Sequence, residues 1–349
     1  MTNTDLPVTA STTDRQTAAA ARPAPFDAAT AARLDQLDRE ATAHVDDNRP
    51  DKTRKGYSAD WKAWLRFCAE KNLTGTLVAF VEWCWRQPGQ RRGTLTAPST
   101  IDRRVTGVVV TARCQLKLQL QEGIAEEARA LLKAKVKQME KDGASRGNGS
   151  ADALLVRHME KVAATLPGNR FGTRDLSLMT LHFAIAGHEH ELAWLRLRDV
   201  TEDPEGRGLV VDVRVSKVKP RKVAVPFGSR AHLCPVRAWR RWRDELGPNA
   251  DPDSFAFRAL HNRWHTVLPK GLDPESVGDV LERIGARADL DIRLTGHSPR
   301  RGLVTESSRA GNPDAVMEKQ GGWAPGSKVM RRYREEDEAF KENALHGVL

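Results

Sequence analysis

The 349-residue chain is 40% hydrophobic, enough to bury the cores of two ordinary domains, and carries a formal net charge of +10. No apolar run approaches the roughly 18 to 20 residues that span a bilayer, and residues 1–25 lack the apolar stretch of a signal peptide, so neither a membrane protein nor a secreted one is expected. The charge favours a polyanionic partner, nucleic acid ahead of a membrane surface because no basic amphipathic anchor stands out.

Cys68, Cys84, Cys114 and Cys234 lie far apart, with no Cys-x-x-Cys spacing and no histidine pair nearby. They read as buried thiols of a reducing cytoplasm, not as disulfides or zinc ligands.

In chain order, residues 1–25 are rich in Ala, Thr and Pro and are expected to form a disordered arm. A helix is expected from about Asp27, with Leu34, Leu37, Ala41 and Val45 as its apolar line, ending at Asp47-Asn48-Arg49-Pro50. The next, from about Asp51, sets Tyr57, Trp61, Trp64, Leu65 and Cys68 on one stripe. A third runs through Leu77, Phe80, Val81, Trp83, Cys84 and Trp85. After a basic turn at 88–93, Ala97-Pro98-Ser99-Thr100 reads as a helix start with Ser99 or Thr100 as N-cap, followed by Ile101, Val105, Val108 and Ala112 at helical spacing. A helix near Glu126 to Met139 carries Lys133, Lys135 and Lys137. Residues 26–140 therefore read as a helical, DNA-gripping domain. The Gly- and Ser-rich run 141–150 reads as a flexible linker.

Residues 151–349 form the second expected domain. Helices near Ala151 to Leu166 and Thr173 to Ala186 precede His188-Glu189-His190-Glu191-Leu192. Histidines at i and i+2 do not share a helix face, and His-Glu-x-x-His spacing is absent, so this run reads as a charged helix start and not as a metal site. Leu209 to Val215 and Lys222 to Pro226 alternate as two strands of a β-hairpin whose turn, Lys217 to Arg221, is basic. Helices follow at Pro235 to Leu246, Glu275 to Ala288 and Glu335 to Leu345, the last with Phe340, Ala344 and Leu345 as apolar anchors before a short tail. The fold class is mainly α with a small β-hairpin or sheet in the C-terminal domain. No nucleotide-binding loop is present, and no cofactor or metal is expected.

The chemistry gathers near the C-terminus. In Thr295-Gly296-His297-Ser298-Pro299-Arg300, His297 and Arg300 stand three residues apart and can point into one site. Histidine moves a proton near neutral pH, and arginine holds a phosphate bidentately without losing its charge. Gly321-Gly322-Trp323 follows, and then Arg331-Arg332-Tyr333-Arg334. Of the two tyrosines, Tyr57 has the setting of a core aromatic, whereas Tyr333 lies among cations that would favour its phenolate.

This order resembles the tyrosine recombinases, or phage integrase family: a His-x-x-Arg box, a Gly-Gly-Trp, then a tyrosine nucleophile. The resemblance implies a two-domain DNA clamp, with residues 26–140 as the core-binding domain and 151–349 as the catalytic domain with a C-terminal docking tail. It implies that Tyr333 attacks a DNA phosphate, forming a 3′-phosphotyrosyl bond and a free 5′-hydroxyl. Arg300 would stabilise the phosphorane, His297 would help take the tyrosine proton, and Trp323 would pack or hydrogen-bond at the phosphate. A hairpin lysine, Lys217 or alternatively Lys219, would protonate the leaving oxygen. The implied partner is double-stranded DNA of a mobile element, bound in the cytoplasm by a homotetramer joined through the tail.

One position departs from the family pattern. Three residues before the Glu of Glu191-Leu192, where the family carries a phosphate-clamping arginine, stands His188; Arg196 and Arg198 are two or more turns out of register. An arginine that neutralises phosphoryl charge can be worth about 10³ to 10⁵ in rate, so a slow enzyme and a retired one are both physically allowed. The expected function is site-specific DNA recombination or integration. A DNA-binding relative without cleavage, a topoisomerase of the same lineage and a chance match remain as alternatives.

Overall fold

A computed structural model of the chain describes residues 51–72, 76–89, 93–118, 120–147, 149–216 and 219–338, together with 27, 29, 30, 32–34, 36, 37, 40 and 345. It divides into two compact units, 1–149 and 150–349. The expected N-terminal arm lies outside the described residues. Helical backbone at 29, 30, 32–34, 36, 37 and 40 matches the helix expected from Asp27, but Leu34 and Leu37 are exposed, and Ala41 and Val45 lie outside the described residues.

In the first unit, α1 (Asp51–Lys71), α2 (Leu77–Arg86), α3 (Pro98–Val110) and α4 (Ile124–Lys141) enclose one core. Phe67, Phe80, Val81, Trp83, Ile101, Val105 and Leu132 fill it, with Phe67 and Phe80 rings 5.5 Å apart. The α1 stripe needs correction: Leu65 is exposed, Phe67 takes the buried place, and Asp60 lies on the same buried side. A carboxylate is tolerated there because Arg103 Nη1 donates to Asp60 Oδ2 at 2.6 Å. α2 is capped by Thr76 Oγ1, which accepts from the Ala79 amide at 3.2 Å. α3 begins two or three residues earlier than expected, with Ala97 as N-cap in place of Ser99 or Thr100 and Pro98 in the first turn, because proline at that position has no amide to satisfy. Arg146 packs its guanidinium 4.0 Å over the Trp85 ring and donates to the Thr96 carbonyl, so part of the Gly-rich run lies on this unit.

In the second unit, α5 (Val156–Thr165), α6 (Arg170–Ile185) and α7 (Glu189–Ala193) lead into an antiparallel sheet β1 (Val200–Glu202), β2 (Gly208–Val213), β3 (Arg221–Pro226) in that spatial order. Val211 pairs with Val223, and alternation sends Val211, Val213, Val223 and Val225 into the core, where α6 and α8 (Pro235–Leu246) meet them. β2 stops at Val213, leaving Val215 exposed. A second hairpin, β4 (Arg258–Leu260) and β5 (Val267–Gly271), is unannounced by the sequence pattern because its short strands scarcely alternate. α9 (Pro274–Arg287), α10 (Ser298–Arg309), α11 (Asp314–Gly321) and α12 (Lys328–Glu338) complete the unit. α12 contains Tyr333 and so begins before the helix expected from Glu335, which it includes as far as Glu338; Phe340, Ala344 and the tail lie outside the described residues, and Leu345 is exposed. No described helix is long and apolar enough to cross a membrane.

Candidate active site

The site is built where four chain breaks meet. α6 ends because Ala186 takes a left-handed backbone, φ 45°, which turns the chain out of the helix. α10 starts with Pro299 in its first turn, and Ser298 Oγ accepts from the Thr295 amide at 2.9 Å, fixing the approach to the helix. A Cβ at Gly296 would overlap the Glu189 side chain, so glycine lets this approach lie against the start of α7. His297 is thereby the exposed N-cap residue, and Arg300, one turn in, is buried.

Arg300 Nη1 donates to the carbonyl of Gly321 at 2.8 Å and to that of Ala186. Its guanidinium lies 3.6 Å from the Trp323 ring centroid. Burial lowers its pKa to about 10, so it remains a cation at neutral pH. The two glycines before Trp323 have separate reasons. Gly322 caps α11 in the left-handed region, φ 69°, and a Cβ on Gly321 would overlap the Trp323 ring.

Tyr333 reaches this corner on α12, whose Met330 packs with Val304 of α10 and Met317 of α11; Tyr333 and Trp323 border that cluster. Arg301 Cζ lies 5.6 Å from the Tyr333 ring centroid. The His297, Arg300, Trp323 and Tyr333 of the sequence are thus brought together from α10, the end of α11 and α12.

His188 joins them. Its ring lies 5.6 Å from that of His297, edge to face, and 5.5 Å from that of His190. The His188 amide donates to Glu191 Oε2 at 3.0 Å. Burial first, then the Arg300 charge, hold the imidazole well below its usual pKa, so the resting form at neutral pH is neutral, not the cation that would best replace an arginine. Arg196 stacks 3.8 Å from the Phe255 ring centroid and Arg198 pairs with Asp253, so both are engaged elsewhere. Lys217 lies outside the described residues, and Lys219 is exposed.

Arg221, expected in the basic turn of the hairpin, instead opens β3 and belongs to the site. Its side chain is 7% exposed and grips Glu191 with both Nη atoms, each at 2.9 Å. The signal was available: in a strand, Arg221 shares the inward face with Val223 and Val225. Burial alone would raise the Glu191 carboxyl, but Arg221 outweighs it and keeps the carboxylate ionised well below the usual range.

No family model matches the chain. Among solved structures, XerA recombinase is similar at 16% identity with a TM-score of 0.42, covering 89% of this chain and 99% of that one. A lambda integrase (75–356) dimer bound to a COC′ core site is similar at 13% identity with a TM-score of 0.45, covering 85% and 93%. The integrase/recombinase xerD homolog of Selenomonas ruminantium is 25% identical over 322 residues, 89% of each chain. That similarity runs through nearly the full length of both sequences, so the chain resembles this relative across both of its compact units.

Proposed function

We propose that the protein is a site-specific DNA recombinase that cleaves and rejoins strands through a 3′-phosphotyrosyl intermediate. The observation that carries this reading is the setting of Arg300: a buried guanidinium fixed by two carbonyls beneath Trp323, with His297 at the start of its helix and Tyr333 on the helix packed beside it. Such a charge costs free energy unless an anion comes to it, and a DNA phosphate is that anion.

In the reaction, Tyr333 Oη attacks phosphorus as its proton passes to His297, and the 5′-oxygen leaves with a proton from Lys217 or Lys219. Arg300 meets the negative charge that grows on the non-bridging oxygens. The bond energy stays in the phosphotyrosine, and the free 5′-hydroxyl of the partner strand reverses the step. The +10 charge and the lysines of α4 favour DNA as the partner.

The reading extends to assembly in the cytoplasm as a homotetramer on paired sites, each C-terminal segment docking on a neighbour. An open, largely apolar cavity of about 330 Å³ in the second unit, bordered by Met159, Phe183, Phe227, Leu233 and Leu303, has the chemistry to receive an apolar segment. A second reading, a relative that binds DNA without cleaving it, is favoured by the neutral setting of His188 where a phosphate-clamping arginine is expected.

A nicked suicide duplex carrying the attachment site of the protein's own element distinguishes the two. Wild type gives a covalent protein–DNA band, Tyr333→Phe gives none, and His188→Arg gives a faster one. Specific binding without a covalent band in wild type sinks the recombinase reading in favour of the second.

A further inference from the structure

Arg221 and Arg300 come from different elements but grip the same two pieces of backbone. Arg300 donates to the carbonyls of Ala186 and Gly321. Arg221 Nη2 donates to Ile185 O at 3.2 Å and Arg221 Nε to Gln320 O at 3.3 Å, one residue earlier in each segment. The two guanidiniums therefore sit side by side where the end of α6 meets the end of α11. A Cβ on Gly322 would come within 2.9 Å of Arg221 Cδ, so the turn leading to Trp323 rests on this side chain.

Two like charges held together out of water repel unless anions offset them. Glu191 offsets one, through its bidentate pair with Arg221. Among the described residues, no carboxylate forms an ion pair with Arg300. Two guanidiniums side by side thus share one carboxylate, which contacts Arg221 and acts on Arg300 only through space. Glu191 also holds the His188 amide, so Arg221 reaches His188 through a single carboxylate.

Resting on the proposed function, we infer that Arg221 is the positioning residue that compensates for histidine at 188, supplying a second guanidinium from the strand side. It sets Glu191, His188 and the turn before Trp323 in register with Arg300. A lysine at 221 keeps the charge but cannot hold a carboxylate bidentately and two carbonyls at once.

The experiment compares wild type, Arg221→Lys, His188→Arg and the double variant on the nicked duplex. The first-order rate of covalent complex formation is read at saturating protein, and the Kd is read on the intact duplex. Arg221→Lys lowers the rate about 10²-fold with little change in Kd. His188→Arg raises the rate about tenfold more in the Arg221→Lys background than in wild type, because the new arginine replaces what the lysine lost. The neutral pair Arg221→Gln with Glu191→Gln, which strands neither member of the ion pair, shows the same rate loss, because the bidentate geometry is gone in both cases.

Equal gains from His188→Arg in both backgrounds overturn the inference, as does a loss in Arg221→Lys that merely follows a lowered Tm and weakened DNA binding. If wild type forms no covalent complex, the recombinase reading fails by itself. Arg221 is then read from binding, as the affinity ratio between duplexes with a phosphate and with a neutral methylphosphonate at the scissile position. Arg221→Lys must shrink that ratio and His188→Arg restore it; an unchanged ratio overturns the inference.

Discussion

Arg300 lies beneath Trp323 with its guanidinium 3.6 Å from the ring centroid, while one of its nitrogens is spent on the carbonyls of Ala186 and Gly321. The aromatic face and the two carbonyls fix the plane of the fork before any ligand arrives, and on the proposed function this leaves little reorganisation for the transition state. Arg300→Lys keeps the charge but loses the plane. Cleavage on the suicide duplex is expected to fall about 10²- to 10³-fold, with DNA affinity within a few-fold of wild type. A lysine variant that cleaves at the wild-type rate would show that the planar fork is not what the phosphate needs.

Gly321 is shaped by Trp323. Because a Cβ at this position would overlap the indole, Gly321→Ala must displace the ring that covers Arg300. The expected result is a loss of cleavage about tenfold or more, accompanied by a change in tryptophan fluorescence on DNA binding. Wild-type kinetics in this variant would mean the ring can move without consequence.

Glu191 and Arg221 form a nearly buried ion pair, with side chains 1% and 7% exposed. Removing one partner leaves the other charge stranded. Glu191→Ala is expected to cost about 3 to 5 kcal/mol of stability, read from urea unfolding, whereas exchanging both for neutral amides costs less. If the two variants are equally unstable, the pair's charge is not the source of the loss.

His182 sits beneath the site, fully buried, with Nε2 against the Gly187 carbonyl at 3.0 Å and no hydrogen-bond partner for Nδ1 among the described residues. Burial lowers its pKa from 6.5 to about 4. The unfolded chain therefore binds this proton more readily than the folded one, and stability is lost as the pH falls from about 6.5 to about 4, by roughly 3 kcal/mol at most. Urea midpoints across that range should fall in wild type and fall less steeply in His182→Asn. Parallel curves would remove His182 as the cause.

Features that depend on neighbours along the chain can be read in one dimension. The helices Leu77–Arg86 and Pro235–Leu246, with Phe80, Trp239 and Trp242 inward, follow from helical spacing of apolar residues, and the paired strands follow from their alternation. His297, Arg300, Trp323 and Tyr333 were legible because the order of separated motifs survives in one dimension. Which charges meet depends on the fold. Asp60 and Arg103 are 43 residues apart and Glu191 and Arg221 are 30 apart, and no local pattern marks such a pair, since a buried ion is tolerated solely where packing brings its partner. The same holds for the carbonyls at Ile185, Ala186, Gln320 and Gly321: backbone acceptors have no side-chain signature, and only the folded turn shows that two arginines share them.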